Sequence, residues 1–308
     1  LDFWQVGSRH LGLVLPGEIE NLQEQMRQLG DCLEKTLDVD VLLKLGEKAD
    51  IDVLGSVTVT ADGSSQKCEA QKNADLVLQN QFAGEKISHS AIPIRLGVAW
   101  DEAFCFYYRD NLEFLEKQGV QIVRFSPVHD KHLPDDLDGL LLGGGYPELY
   151  AKALEENETI RNEIRRKAEE DMPILAECGG YLYLLKELED ENGTGYEMAG
   201  VFSGKGYKKG KNSHFGYITV QTEKDSLYLK AGETIKGHEF HYWESTQDEN
   251  ELKMQAKKPT GKRSWPCVTV KNQVMAGFPH LYYPSLEGFG ERFVQAYDRY
   301  RMKRKRQQ

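Results

Sequence analysis

The sequence has 308 residues, with 49 Asp and Glu against 39 Lys and Arg, a net charge of −10, and a composition that is 40% hydrophobic and 29% charged. That length accommodates two soluble globular domains, and the acidic balance argues against nonspecific nucleic-acid binding. No apolar stretch approaches the roughly 20 residues that span a bilayer, and no secretory signal opens the chain.

The chain starts at Leu1 and runs directly into LDFWQVGSRHLGLVLP, which reads as the interior of a domain whose upstream part is missing. Residues 12–15 (LVLP) read as a short buried strand. Leu22, Met26, Leu29 and Leu33 then keep helical spacing, and Asp38 to Asp40 offer a cap for a second helix. From about 56 to 93 the chain turns polar and loses periodicity, as expected of an interdomain linker.

Beyond Ile94 strands and helices alternate. RLGVAW (95–100), QIVRFSP (121–127), LDGLLLGGG (137–145) and PILAEC (173–178) read as strands. NLEFLEKQG (111–119), closed by Gly119, and the whole of 146–170 read as helices. Such alternation predicts an α/β domain built on a mostly parallel sheet flanked by helices, with chemistry at the carboxyl ends of its strands. GYITVQTE and WPCVTVKNQVMAG read as further strands, and GFGERFVQAYDRYRMK as a closing helix.

The five cysteines, at 32, 68, 105, 178 and 267, show no CxxC spacing. Their odd number fits a reduced cytoplasm rather than a disulfide framework or a structural zinc site. Cys178 stands apart. It follows an apolar run, is flanked by Glu177, Gly179 and Gly180, and precedes Tyr181, Leu182, Leu184, Leu185 and Leu188 at helical spacing. A strand–turn–helix elbow would hold its thiol in a strained, exposed position, with the following helix N-terminus favouring a thiolate. A buried structural cysteine is the competing reading, and this stretch alone leaves both open.

GGGYPE (143–148) can present backbone N–H groups to an anion, or simply turn a strand into a helix with Pro147 at the helix start. No G-x-x-x-x-G-K-[ST] loop occurs in the chain. His280 in GFPHLYYPS is a candidate base for Cys178, or a structural histidine amid aromatics. In GHEFHYWES, His238 and His241 have ligand-like spacing but lack a third ligand, so no metal site is expected. His214 and the lysines of GKGYKKGKNSHFGY read as an exposed basic loop.

ECGGYLYL, GGGYPE, GHEFHYWES, AWDEAFCFYYRDNLEFLEKQG and SRHLGLVLPGE occur in the order and context of the cobyrinic acid a,c-diamide synthases, and the resemblance covers almost the whole chain. It implies a class I glutamine amidotransferase-like domain at 94–308 and a linker at 56–93. Residues 1–55 would then be the end of a dethiobiotin-synthetase-like ATP-binding domain. By the same resemblance Cys178 is the glutaminase nucleophile and His280 its base. Gly144 and Gly179 supply oxyanion N–H groups, and Gly145 and Tyr146 belong to the glutamine-binding loop. Tyr282 stands where triad amidotransferases carry Glu, so a Cys–His dyad is implied and the group that orients His280 is left open.

L-Glutamine and a corrinoid tetrapyrrole are the implied substrates. No cofactor is expected in this chain, and ATP and Mg²⁺ are expected in the intact enzyme together with the missing N-terminal ATP-binding domain. No nucleic-acid or membrane partner is implied, and a homodimer is compatible with the sequence. Asp101, Phe104, Phe106 and Tyr107 read either as a domain-interface segment near the macrocycle or ammonia path, or as a capped turn with core aromatics. His238, Glu239 and His241 are in the same position. Nickel-sirohydrochlorin and hydrogenobyrinic acid a,c-diamide synthases share the motifs, and a noncatalytic macrocycle- or partner-binding module is the alternative of another class.

Overall fold

The computed structural model describes residues 19–48, 92–209, 214–247, 252–261 and 263–307. The chain falls into two units, residues 1–89 and 90–308, each described by itself. The expected strand at 12–15 and nearly all of the 56–93 segment lie outside the described residues.

In the first unit the amphipathic pattern forms two helices, α1 (Leu22–Thr36) and α2 (Val39–Lys48). Asp38 caps the second, its Oδ1 accepting the Val41 N–H at 3.0 Å. No residue of α1 is buried, and Met26, Leu33, Leu42, Leu43 and Leu45 are exposed.

The second unit runs β1 (Ile94–Ala99), β2 (Phe104–Phe106), α3 (Arg109–Lys117), β3 (Val120–Phe125), β4 (Gly139–Leu142), β5 (Gly144–Gly145), α4 (Ala151–Glu156), α5 (Glu158–Glu169), β6 (Ile174–Glu177) and α6 (Gly179–Leu184). It continues through β7 (Glu187–Glu189), β8 (Gly195–Glu197), β9 (Lys205–Lys208), β10 (Phe215–Thr222), β11 (Thr234–Phe240), β12 (Trp243–Ser245), β13 (Leu252–Lys257), β14 (Ser264–Lys271), β15 (Val274–Gly277) and β16 (His280–Leu281) to α7 (Phe289–Gln307).

The main sheet has the order β16-β11-β10-β13-β14-β15-β6-β4-β1-β3. The neighbours β3, β1, β4, β6 and β15 are parallel, and the rest pair antiparallel. The fold is α/β, as the alternation predicts. β4 and β6 are buried along their whole length, which is why they read as continuous apolar runs, closed in β6 by Glu177, rather than alternating ones. On one face α5 buries Ile160, Ile164 and Ala168; α7 buries Phe289, Phe293, Ala296 and Tyr297 against a second cluster with Leu96 and Val98.

Two element boundaries differ from expectation. The 146–170 stretch is not one helix: Pro147 to Tyr150 form a turn, and α4 and α5 are separated at Asn157, whose side-chain amide donates to the Pro127 and Asp130 carbonyls at 2.8 and 2.7 Å. The helix after Cys178 ends at Leu184, and Leu188 belongs to β7. Every residue of α6 is buried, so apolar spacing carried no mark of its end. α6 lies close on β4: the Gly180 N–H donates to the Gly143 carbonyl at 2.8 Å, and a Cβ at Gly180 would stand 2.1 Å from the Leu142 carbonyl oxygen. Gly180→Ala is therefore expected to destabilise the fold by about 3 kcal/mol or more, read as a drop in urea midpoint, because a backbone atom must give way. A midpoint equal to wild type would mean that α6 and β4 are not packed so tightly.

Candidate active site

Three neighbouring parallel strands end at one place. β4 runs into the glycine loop, β6 into Cys178, and β15 into Phe278-Pro279-His280. The Cys178 N–H donates to the Gly277 carbonyl at 2.8 Å, tying the cysteine turn to the strand that leads to His280. Cys178 has φ 50° and ψ −104°, a conformation rarely adopted by a residue with a Cβ, and it joins β6 directly to α6. This is the strained elbow expected from the sequence, but the thiol is buried rather than exposed, because the glycine loop and the strand leading to His280 pack over it.

The glycine loop is packed against both other parts. A Cβ at Gly144 would come within 2.4 Å of the His280 ring, and one at Gly179 within 2.9 Å of Pro147 and 3.1 Å of the Gly145 nitrogen. Only glycine fits at such approaches. Cys178, Gly144, Gly145, Gly179 and His280 are thus brought together.

Tyr146 is wholly buried, its ring edge-on to Phe106 at 5.2 Å. The AWDEAFCFYY segment braces this loop. Asp101 Oδ1 accepts the Ala103 and Phe104 N–H groups, and its Oδ2 accepts from Ser126 Oγ and the Val128 N–H. Phe104 is wholly buried in β2, which pairs with β5. The Tyr107 hydroxyl accepts the Gly143 N–H at 2.9 Å and donates to the Ala99 carbonyl.

The environment of Cys178 runs against the expected thiolate. Burial pushes its thiol up to about 12, and Glu148, Glu239 and Glu177 add to the shift, while the Gly179 N–H opposes it. Burial pulls His280 down to about 4, helped by His238 and His241. At neutral pH the pair rests as thiol and neutral imidazole.

Sequence reasoning assigned no role to Glu177 and missed Asn111. Glu177 Oε1 accepts the Leu281 N–H at 3.3 Å and the Tyr283 hydroxyl at 3.0 Å. Asn111 donates to the Leu281 carbonyl at 2.7 Å and accepts the Tyr283 N–H at 2.9 Å. The backbone following His280 is therefore clamped to β6 and α3. The only local signal was a charged residue closing an apolar run.

β11 forms the wall beyond His280. His238 lies directly across from His280 in the β11–β16 pairing, and Glu239 and His241 are buried. The basic loop is less open than expected. Lys205 pairs with Glu187 and Glu189 at 2.6 and 3.0 Å, and His214 stacks on Trp265 at 4.1 Å. Residues 210–213 lie outside the described residues. Among the described residues no group of three His, Cys, Asp or Glu side chains is placed to hold a metal ion, and no helix is long and apolar enough to cross a membrane.

A family model described as a CobB/CobQ-like glutamine amidotransferase domain matches residues 95–286. The cobyrinate a,c-diamide synthase of Caldanaerobacter subterraneus subsp. tengcongensis is 34% identical over 277 residues, covering 90% of this chain and 55% of its own length. That of Syntrophotalea carbinolica is 35% identical over 291 residues, covering 93% of this chain and 58% of its own. The chain thus spans somewhat over half the length of these relatives. Among solved structures, PurLQS from Thermotoga maritima aligns with 69% of this chain and 98% of its own at a TM-score of 0.46 and 18% identity.

Proposed function

The chain belongs to the CobB/CobQ-like glutamine amidotransferase family, and from that premise we propose that it is the ammonia-supplying, glutamine-hydrolysing part of a cobyrinate a,c-diamide synthase. The observation that carries the reading is the convergence of a strained cysteine elbow, a glycine loop and a histidine at the ends of three adjacent parallel strands. A degenerate binding module has no need for a cysteine held at φ 50° and ψ −104°, outside the left-handed region that turn residues adopt.

The chemistry follows from the resting state. The Cys178 thiol gives its proton to neutral His280 as sulfur attacks the glutamine side-chain carbonyl. N–H groups of Gly144 and Gly179 receive the resulting oxyanion. The imidazolium protonates the departing nitrogen, the C–N bond breaks, and ammonia leaves a γ-glutamyl thioester on Cys178. Neutral His280 then takes a proton from water, which adds to the thioester and releases glutamate and the thiol. Because the base is pulled down and the nucleophile pushed up, the ion pair forms only as the substrate closes the site.

In this reading 94–308 is the amidotransferase domain, 56–93 the linker and 1–55 the end of the synthetase domain. The intact enzyme uses ATP and Mg²⁺ to activate the a- and c-carboxylates of a corrinoid, chemistry for which this chain holds no phosphate loop. The setting is the cytoplasm. Incubated with L-glutamine and hydroxylamine, the chain is expected to yield glutamate and γ-glutamyl hydroxamate, the second diverted from the thioester. Absence of both products, from this chain and from a full-length protein containing it, would overturn the reading.

A further inference from the structure

The dyad chemistry leaves Glu239 and His241 without work, although both are almost wholly buried. His241 stacks on Phe278, ring centroids 4.0 Å apart and planes 8° apart, and Phe278 lies between Gly277, which anchors the Cys178 N–H, and His280. Tyr181, one helical turn past Cys178, meets Phe278 edge-on at 5.2 Å. His241 is therefore one aromatic ring away from the segment joining the nucleophile to its base.

The Nδ1 atom of His241 lies 2.7 Å from the Trp243 carbonyl oxygen. A carbonyl has no hydrogen to give, so the neutral ring carries its proton on Nδ1 and offers a lone pair at Nε2. That Nε2 is buried and has no hydrogen-bond partner among the described residues. Glu239 Oε2 stands 3.8 Å away, beyond hydrogen-bond range. Among the described residues the Glu239 oxygens accept from one donor, Trp265 Nε1, at 3.1 and 3.4 Å, which leaves carboxylate lone pairs open. Two buried acceptors thus stand 3.8 Å apart, close enough for one donor group to reach both. A group that satisfies both must bring at least two hydrogens, and a buried carboxylate favours one that also brings positive charge.

We propose that Glu239 and His241 receive the α-ammonium group of the glutamine substrate and so set which end of the amino acid is turned toward Cys178. The inference rests on the glutaminase reading. Glu239 is next in β11 to His238, which lies directly across from His280 in the β11–β16 pairing, and its charge, after burial and Glu148, is among those that push the Cys178 thiol up.

The test compares two alkylating agents on the intact chain, with the adduct on the Cys178 peptide followed by mass. 6-Diazo-5-oxo-L-norleucine carries the amino-acid end of glutamine; iodoacetamide does not. Glu239→Gln and His241→Gln are each expected to slow the diazoketone at least about tenfold, the loss of one hydrogen bond to a charged group. Iodoacetamide should react at the wild-type rate or, in Glu239→Gln, faster, since a negative charge has gone from beside the thiol. Equal diazoketone rates in variants and wild type would overturn the inference and leave the glutaminase standing, and equal slowing of both reagents would assign the pair a structural role instead. Failure of the diazoketone to label wild-type Cys178 would remove the glutaminase reading, and this inference with it.

Discussion

Alanine or glycine in place of Cys178 is expected to lower glutamate release at least about a thousandfold, because no thioester can form. The glycine variant should nevertheless be the more stable of the two. Both substitutions remove the sulfur, so their difference isolates the Cβ. At φ 50° and ψ −104° that Cβ is strained, at a cost of roughly 1–3 kcal/mol for a residue held in such a region. Glycine escapes this strain but loses roughly 0.5–1 kcal/mol through its freer unfolded chain. The balance favours glycine by about 1 kcal/mol, the reverse of the usual order at a buried helix start. Urea midpoints of the two variants measure it. An alanine variant more stable than the glycine variant would mean that the elbow stores no strain and that the thiol is held by packing alone.

The elbow was legible because its signals are local: an apolar run, a cysteine, two glycines and a helical spacing fall within a few residues. The site as a whole was not. Its three strand ends lie at Leu142, Glu177 and Gly277, and β15 pairs with β6 only after some hundred intervening residues. No spacing rule states that pairing; the residues left His280 as either a base for Cys178 or a structural histidine, and the family resemblance chose between them. The clamp on the backbone after His280 was illegible for the same reason, since Glu177 finds its partners at Leu281 and Tyr283.

GHEFHYWES was read as a polar cluster with metal-like spacing. Recognised as the end of a strand, its alternation would have turned His238 one way and Glu239 the other. His238 then falls beside His280 and Glu239 inside the wall. The α6 boundary failed for the opposite reason: a helix buried on every side has no polar face to show where it stops.

Glu177→Gln is expected to flatten the alkaline fall in stability. Burial raises the Glu177 carboxyl from its ordinary 4.5 to about 8, against the hydrogen bonds from Tyr283 and Leu281. A group raised on folding holds its proton more tightly in the native state, so its contribution is full below pH 4.5 and is lost as pH rises through 8. At 1.36 kcal/mol per pH unit the whole loss is about 5 kcal/mol. His280 has the opposite sign. Lowered from 6.5 to about 4, it contributes above pH 6.5 and loses that contribution as pH falls through 4. Between pH 4.5 and 6.5 the two slopes cancel, and above 6.5 that of Glu177 acts alone.

Wild-type stability should therefore hold level to about pH 6.5 and then decline. Glutamine keeps an acceptor for Tyr283 and Leu281 but cannot ionise. Relative to their difference at pH 5.5, the variant should gain about 3 kcal/mol at pH 8.5, roughly 10 °C in melting temperature for a domain of this size. Parallel pH profiles for the two proteins would mean that Glu177 is already ionised at pH 5.5 and paired with a cation. A raised Glu177 would instead keep the residue next to Cys178 neutral at neutral pH, so that its side chain holds the Tyr283 hydroxyl and the Leu281 N–H without adding a negative charge beside the thiol.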